Sequence, residues 1–287
     1  MIKTATNYMD FKQILIYTAR ALIFLVLTVL TQTGGVVYLI NFSTCNQINK
    51  RMANRWLRRL CKLGSFILIY LLATFLIVPL LARPFGRVQL PVRTTNNLRP
   101  LTFLTCLLNR NYVRKDLRDA AFSVAAKMNQ QYPGTVVNYL DANFPFINGF
   151  PLAPHLSHND GKKLDLAFCY KDKATLTATN KAPSPIGYGI CEEPTPAEKN
   201  TAEFCSEHGY WQYSFLKNVM PQGAKNDFVF YGEKTKYLVE LFCRDNRIGK
   251  IFIEPHLKLR LQLTNSKIRF HGCRAVRHDD HIHVQLN

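Results

Sequence analysis

The chain has 287 residues, with 37 Lys and Arg against 19 Asp and Glu, and a formal charge of +18. That length allows one or two domains, and the longest apolar runs fall in the first 85 positions. The positive balance suits an anionic surface or polymer, and the chain carries no nucleic-acid motif, so DNA and RNA are poor partners.

The first element is an apolar stretch over residues 14–42. Its charge-free part, residues 21–42, has roughly the ~20 residues needed to cross a hydrocarbon core. Thr28, Thr31, Gln32 and Thr33 dilute it, and Gly34-Gly35 offers a kink. A second stretch, residues 63–82, carries no charge and reads as a cleaner span. A cleavable signal peptide fits the first stretch poorly, because it exceeds the usual apolar region of ~7–15 residues. Residues 1–83 are therefore expected to form a two-span anchor that meets membrane lipid through both spans. The loop between them, residues 43–62, contains Lys50, Arg51, Arg55, Arg58, Arg59 and Lys62 and no acidic residue. Short basic loops stay in the cytoplasm, which puts the N-terminus and everything after Pro84 outside. The first 83 residues hold ten basic side chains and one acidic. That leaves 27 against 18, about +9, for the external part.

Residues 84–105 hold Pro84, Pro91, Pro100 and Asn96-Asn97 without a helical period and read as a linker. Residues 106–287 read as one domain. A helix starts near Tyr112, with Val113, Leu117, Ala120, Ala121, Val124 and Met128 at helical spacing, and stops at Tyr132-Pro133-Gly134. Residues 135–140 are β-prone, and residues 164–170 read as a core strand with Asp165 at its start. Residues 171–202, rich in Lys, Thr, Pro and Gly, read as a long surface insertion stapled by Cys191 and Cys205. Residues 210–219 and 237–244 have helical character, 250–254 reads as a strand and 256–263 as a short helix. Residues 268–271 and 281–286 read as strands. The fold class is α+β, with two N-terminal transmembrane helices followed by one external domain built on a mostly antiparallel sheet.

Cys45 and Cys61 lie in or beside the loop between the spans, and six further cysteines lie in the external part. An even count outside the cytoplasm predicts three disulfides, with 15 pairings open. No Cys-x-x-Cys occurs, which argues against a structural zinc knot and against thiol redox chemistry.

Two segments carry the chemistry. His158-Asn159-Asp160-Gly161-Lys162-Lys163-Leu164-Asp165 is followed more than a hundred residues later by His278-Asp279-Asp280-His281-Ile282-His283. A catalytic zinc site takes three protein ligands and keeps one position open. His281 and His283, two apart on a strand, point to one side, and Asp165 at a strand start can face the same cleft. Gly161 permits the tight turn that returns His158 toward it.

The layout resembles the lysostaphin, D-Ala-D-Ala metallopeptidase and hedgehog group of zinc peptidases. It is most similar to the penicillin-insensitive murein endopeptidase family. Residues 157–165 match that family's Ser-His-x-x-Gly-x-x-x-Asp segment, and residues 278–284 match its His-Asp-x-His-x-His-Val ending. Residues 250–255 look like the strand that precedes the ending, so the resemblance covers roughly residues 135–287. It implies that His158, Asp165 and His283 bind Zn2+. It also implies that His281 and His278 are the catalytic histidines, with the general base open between them. Asp160 and Asp279 or Asp280 read as exposed loop charges, with orientation of ligand histidines as the alternative. His155, His208, His256 and His271 match no ligand position in the family pattern, closeness to the cleft being the alternative for His155. The implied activity is hydrolysis of D-Ala to meso-diaminopimelate crosslinks in peptidoglycan, on the periplasmic side of a bacterial inner membrane. The alternatives are a D,D- or L,D-carboxypeptidase on stem peptides and an inactive, zinc-stabilised wall-binding module. The two-span anchor and residues 171–202 depart from the family pattern.

Overall fold

Three helices account for the apolar N-terminal region: α1 over Phe11–Thr31, α2 over Gly34–Arg51 and α3 over Arg55–Leu81. The structure, a computed structural model, describes residues 11–287. Helices α1 and α3 are long and apolar enough to cross a membrane.

Helix α3 covers nearly all of the stretch over residues 63–82 that reads as the second span, but it starts at Arg55, so most of the expected basic loop over residues 43–62 is helical. The first span differs. Instead of one span over residues 21–42, the chain reverses at Gln32, whose φ is 64°. The four polar residues that dilute this stretch explain the turn. The Thr28 and Thr31 hydroxyls donate back to the carbonyls of Phe24 and Leu27 at 2.7 Å each, and the Gly34 N–H donates to Thr31 Oγ1 at 2.8 Å. A side chain at Gly35 would collide with Thr28 and Phe24, so this glycine lets α2 lie close against α1. Asn41 of α2 accepts a hydrogen bond from Ser65 of α3 at 2.9 Å. The helices run down and back as an antiparallel trio. The start of α1 and the connection between α2 and α3 therefore share one end.

The chain divides into two compact units, Met1–Val78 and Pro79–Asn287. The second unit is built on a six-stranded sheet. Its strands are β1 Leu98–Pro100, β2 Val137–Tyr139, β3 Lys163–Ala167, β4 Ile248–Phe252, β5 Ile268–Arg269 and β6 His281–Leu286, in the order β5-β4-β6-β3-β2-β1. The centre is antiparallel, and the outermost pair at each edge is parallel. Two helices cover one face, α4 over Lys115–Gln131 and α5 over Gly232–Arg244. The apolar stripe expected on α4 is the buried one: Leu117, Ala120, Ala121, Val124 and Met128 are in the core.

Strand alternation divides the sheet into two faces. Leu164 and Leu166 of β3 and Ile282, Val284 and Leu286 of β6 point into the core. Each such side chain contributes about 1.5–3 kcal/mol of burial free energy. Asp165, His281 and His283 take the positions between them and face the other way.

Residues 84–105 are not a linker. Leu90 and Leu98 are fully buried in the core, and β1 pairs in parallel with β2. The prolines mask this segment because β1 is an edge strand, where a missing N–H costs little. One disulfide, Cys205–Cys273, forms in place of three, and the expected Cys191–Cys205 staple is absent. Cys106, Cys191 and Cys243 are free, buried thiols that pack as small apolar side chains. Residues 171–202 begin as an exposed excursion, but Tyr188, Ile190, Cys191 and Glu192 return to a buried position.

Candidate metal centre

The β3–β6 register assembles the site. His283 lies directly opposite Asp165, and His281 lies opposite Ala167, one pleat away on the same face. His158 arrives from the loop before β3. Within that loop, Gly161 has φ 77°, and a Cβ there would sit 2.5 Å from the Arg87 guanidinium carbon. Glycine is thus required twice, for the left-handed turn and for the arginine that covers it.

Three donor atoms converge. His158 Nε2 is 3.1 Å from His283 Nδ1 and 3.3 Å from Asp165 Oδ1, and His283 Nδ1 is 2.9 Å from Asp165 Oδ1. His158 Nδ1 lies 2.6 Å from the Ala142 carbonyl oxygen. A carbonyl only accepts, so Nδ1 carries the proton and Nε2 presents its lone pair to the site. Asp165 Oδ1 is buried without a hydrogen bond although two imidazole nitrogens lie within 3.3 Å of it. His283 Nε2 is likewise buried without a partner. Burial favours the neutral acid at Asp165, but the facing His158, His281 and His155 hold its carboxyl well below the usual range. Burial, together with His158 and His281, pushes His283 down to about 4.

The second carboxylate oxygen has its own neighbours. Tyr188 donates to Asp165 Oδ2 at 2.9 Å, His155 Nδ1 is 3.2 Å away and His281 Nε2 is 3.7 Å away. Tyr188 also accepts the Asp141 N–H at 3.0 Å. His155, His158 and Asp165 form a buried group whose ligand atoms lie within 4.8 Å of one another and could hold a metal ion. The set with His283 in place of His155 is tighter. Three ligands at about 2.0–2.2 Å from a tetrahedral ion stand about 3.3 Å apart, and the His158, Asp165 and His283 atoms match that spacing.

The two remaining histidines of the C-terminal segment differ in position. His278 lines a cleft of about 460 Å³ beside His158 and His283. His281 does not line it, and instead sits in a smaller recess with His155 and Asp280. Its Nδ1 is 2.5 Å from Asp280 Oδ1. Burial opposes a charge on His281, but Asp165 and Asp280 outweigh it and push the ring up to about 9. Burial with His281 and His283 pushes His278 well down. The His278 N–H donates to Glu254 Oε1 at 3.1 Å, and Glu254 also accepts from Tyr213 at 2.5 Å. Burial and the nearby Asp279 push Glu254 up to about 7.

Asp279 and Asp280 are buried rather than exposed loop charges, and Asp280 holds His281. Asp279 is engaged by Arg277 in a two-pronged pair at 2.9 and 2.5 Å. Asp160 pairs with Lys163 at 2.6 Å and caps the Lys162 N–H, so its carboxylate is engaged by lysines and not by a histidine. Sequence reading missed Tyr188 altogether. Its signal was the flanking pair Gly187 and Gly189, both at positive φ, where a Cβ would strike Leu140 or Met220. Such glycines mark a segment docked against the body of the domain.

No protein-family model and no curated protein matches this chain.

Proposed function

We propose that the chain is a membrane-anchored zinc peptidase acting on peptidoglycan peptides, with His158, Asp165 and His283 as the metal ligands. One observation carries this reading: a fully buried carboxylate oxygen stands within 3.3 Å of two imidazole nitrogens and hydrogen-bonds to neither. Two nitrogens and one oxygen in that arrangement suit zinc better than the all-oxygen cations. When bound, zinc polarises a substrate carbonyl and eases deprotonation of a water. The D-Ala to meso-diaminopimelate crosslink as the bond cleaved comes from the motif resemblance.

The chain's own residues divide the remaining work. His278 lines the cleft and is the group that exchanges a proton with water and the leaving amine. Glu254 fixes its backbone. His281, behind the ligands, is a positioning residue: held by Asp280, it flanks Asp165 with Tyr188 and His155 and keeps that carboxylate aimed at the ion.

The membrane reading extends to orientation. If α2 crosses back between α1 and α3, Lys12 at the start of α1, Lys50 and Arg51 at the end of α2 and Arg55 at the start of α3 all fall on one side. Basic flanks favour the cytoplasm. The N-terminus is then cytoplasmic rather than external, while the chain after α3 is still periplasmic, where the Cys205–Cys273 bond can persist. A reporter active only in the cytoplasm, fused to the N-terminus, is expected to be active. Activity from a reporter that needs export would reverse the assignment.

The enzymatic test uses the full chain in detergent with purified crosslinked peptidoglycan, reading soluble products by mass spectrometry. Loss of crosslinked dimers with a matching rise in monomers is expected, abolished by chelator and restored by zinc. Loss of a terminal D-Ala alone would move the activity to a carboxypeptidase. No cleavage by folded, zinc-loaded protein would leave a wall-binding module.

A further inference from the structure

The cleft carries a charge that the chemistry at its floor does not use. Among the described residues lining it, Arg274 is the only Lys or Arg, and there is no Asp or Glu. Arg274 is exposed, and its guanidinium has no ion-pair partner among the described residues. Its backbone, by contrast, is fixed. The Ala275 N–H donates to the Gly272 carbonyl at 3.1 Å, closing a turn with Arg274 in its third position. The preceding residue is tied by the Cys205–Cys273 bond to a buried cysteine, and Gln212 Nε2 donates to the Cys273 carbonyl at 3.4 Å. A free cation on a pinned backbone is pre-organised for an anion.

The same cleft has an apolar wall. Trp211 is 72% exposed, Phe215 47% and Leu156 61%, and the Trp211 and Phe215 rings meet edge-on at 6.0 Å. Large apolar groups left in water around a polar site mark a surface that a ligand covers. A round cleft of this volume is roughly 10 Å across, the reach of about three extended residues.

We propose that Arg274 anchors a substrate carboxylate, so that the cleft selects peptides with a free carboxylate within about three residues of the scissile bond and an apolar portion lying on Trp211. This rests on the peptidase reading of the same site. The chemistry agrees with the proposed crosslink, since meso-diaminopimelate keeps a free carboxylate on the carbon that bears the scissile nitrogen.

The test reads binding, not turnover. Full chain carrying Trp56→Phe, so that Trp211 is the sole fluorophore of its kind, is stripped of metal and titrated with N-acetyl-D-alanyl-D-alanine and with its C-terminal amide. The acid is expected to bind about five- to tenfold more tightly than the amide, the range of a charge-assisted, partly solvated pair. Arg274→Gln is expected to bring the two ligands to near equality, and Arg274→Lys to keep part of the preference. Arg274 is exposed and its side chain makes no ion pair among the described residues, and the Arg274→Lys variant keeps the charge as a control for folding. Equal binding of acid and amide by the unsubstituted cleft, or an acid preference that survives Arg274→Gln, would overturn the anchor while leaving the peptide site standing. No binding of either ligand would overturn both the anchor and the peptidase reading.

Discussion

Replacing His158 with alanine is expected to remove tight zinc binding and, with it, all hydrolysis. The imidazole is fully buried, its Nδ1 is committed to the Ala142 carbonyl, and its Nε2 is one of three atoms converging within 3.3 Å. Losing the outer partner of a ligand typically costs 10–100-fold in metal affinity, so losing the ligand itself should cost at least about a hundredfold. The readout is thermal. With free zinc at about a hundred times Kd, binding stabilises the unsubstituted chain by about 2.7 kcal/mol. That is roughly 5–10 °C in Tm for a domain of this size. His158→Ala should show no such shift. Its own metal-free stability should fall by about 1–3 kcal/mol, because the Ala142 carbonyl loses its donor. His283→Ala should behave the same way. If His155→Ala abolishes the zinc shift and His283→Ala does not, the ion sits on the Oδ2 side of Asp165 and the ligand assignment is wrong.

The faces taken by His281, His283 and Asp165 were readable in the sequence because they obey short-range rules. His281 and His283 are two apart on a strand with Ile282 and Val284 between and after them, which fixes which face each takes. Asp165 sits between Leu164 and Leu166 in the same way. Gly161 announces a turn, and the turn is there. What the sequence could not convey is the pairing of β3 with β6, across more than a hundred residues, which turns two separate patterns into one site.

Where reading failed, long-range packing or averaging was the cause. Hydropathy over residues 21–42 sums across a reversal at Gln32, and nothing in that sum distinguishes one continuous helix from the end of α1 folded against the start of α2. Leu90 and Leu98 sit among prolines, and only the partner strand Val137–Tyr139 makes an edge of that segment. Cys205 and Cys273 lie 68 residues apart, so their pairing follows from the tertiary fold alone. Tyr188 belongs to a stretch whose composition is that of a surface loop, yet its hydroxyl ends on the buried carboxylate of Asp165. The motif resemblance does not choose between His278 and His281 as the general base. The cleft separates them, since it is lined by one and not the other.

That separation makes His278→Ala and His281→Ala a matched pair with opposite signatures. His278→Ala is expected to lower kcat by about 10²–10⁴-fold, the usual contribution of a positioned proton-transfer group. Zinc affinity should be unchanged, because the His278 ring does not belong to the converging set. Its kcat–pH profile should also lose the limb that reports this group's titration. His281→Ala should do the reverse. Removing the ring that flanks Asp165 Oδ2 at 3.7 Å, with Asp280 on its far side, loosens the ligand carboxylate, and zinc affinity should fall about 10–100-fold. At saturating zinc most of kcat should return, with the pH profile intact. Asp280→Asn should reproduce a weaker form of the same defect, since it acts only through His281. A variant lacking His281 that stays inactive at saturating zinc, beside an active variant lacking His278, would exchange the two roles. The reacting group would then be the one in the recess, and the substrate would have to enter past His155 rather than along the wall formed by Trp211 and Phe215.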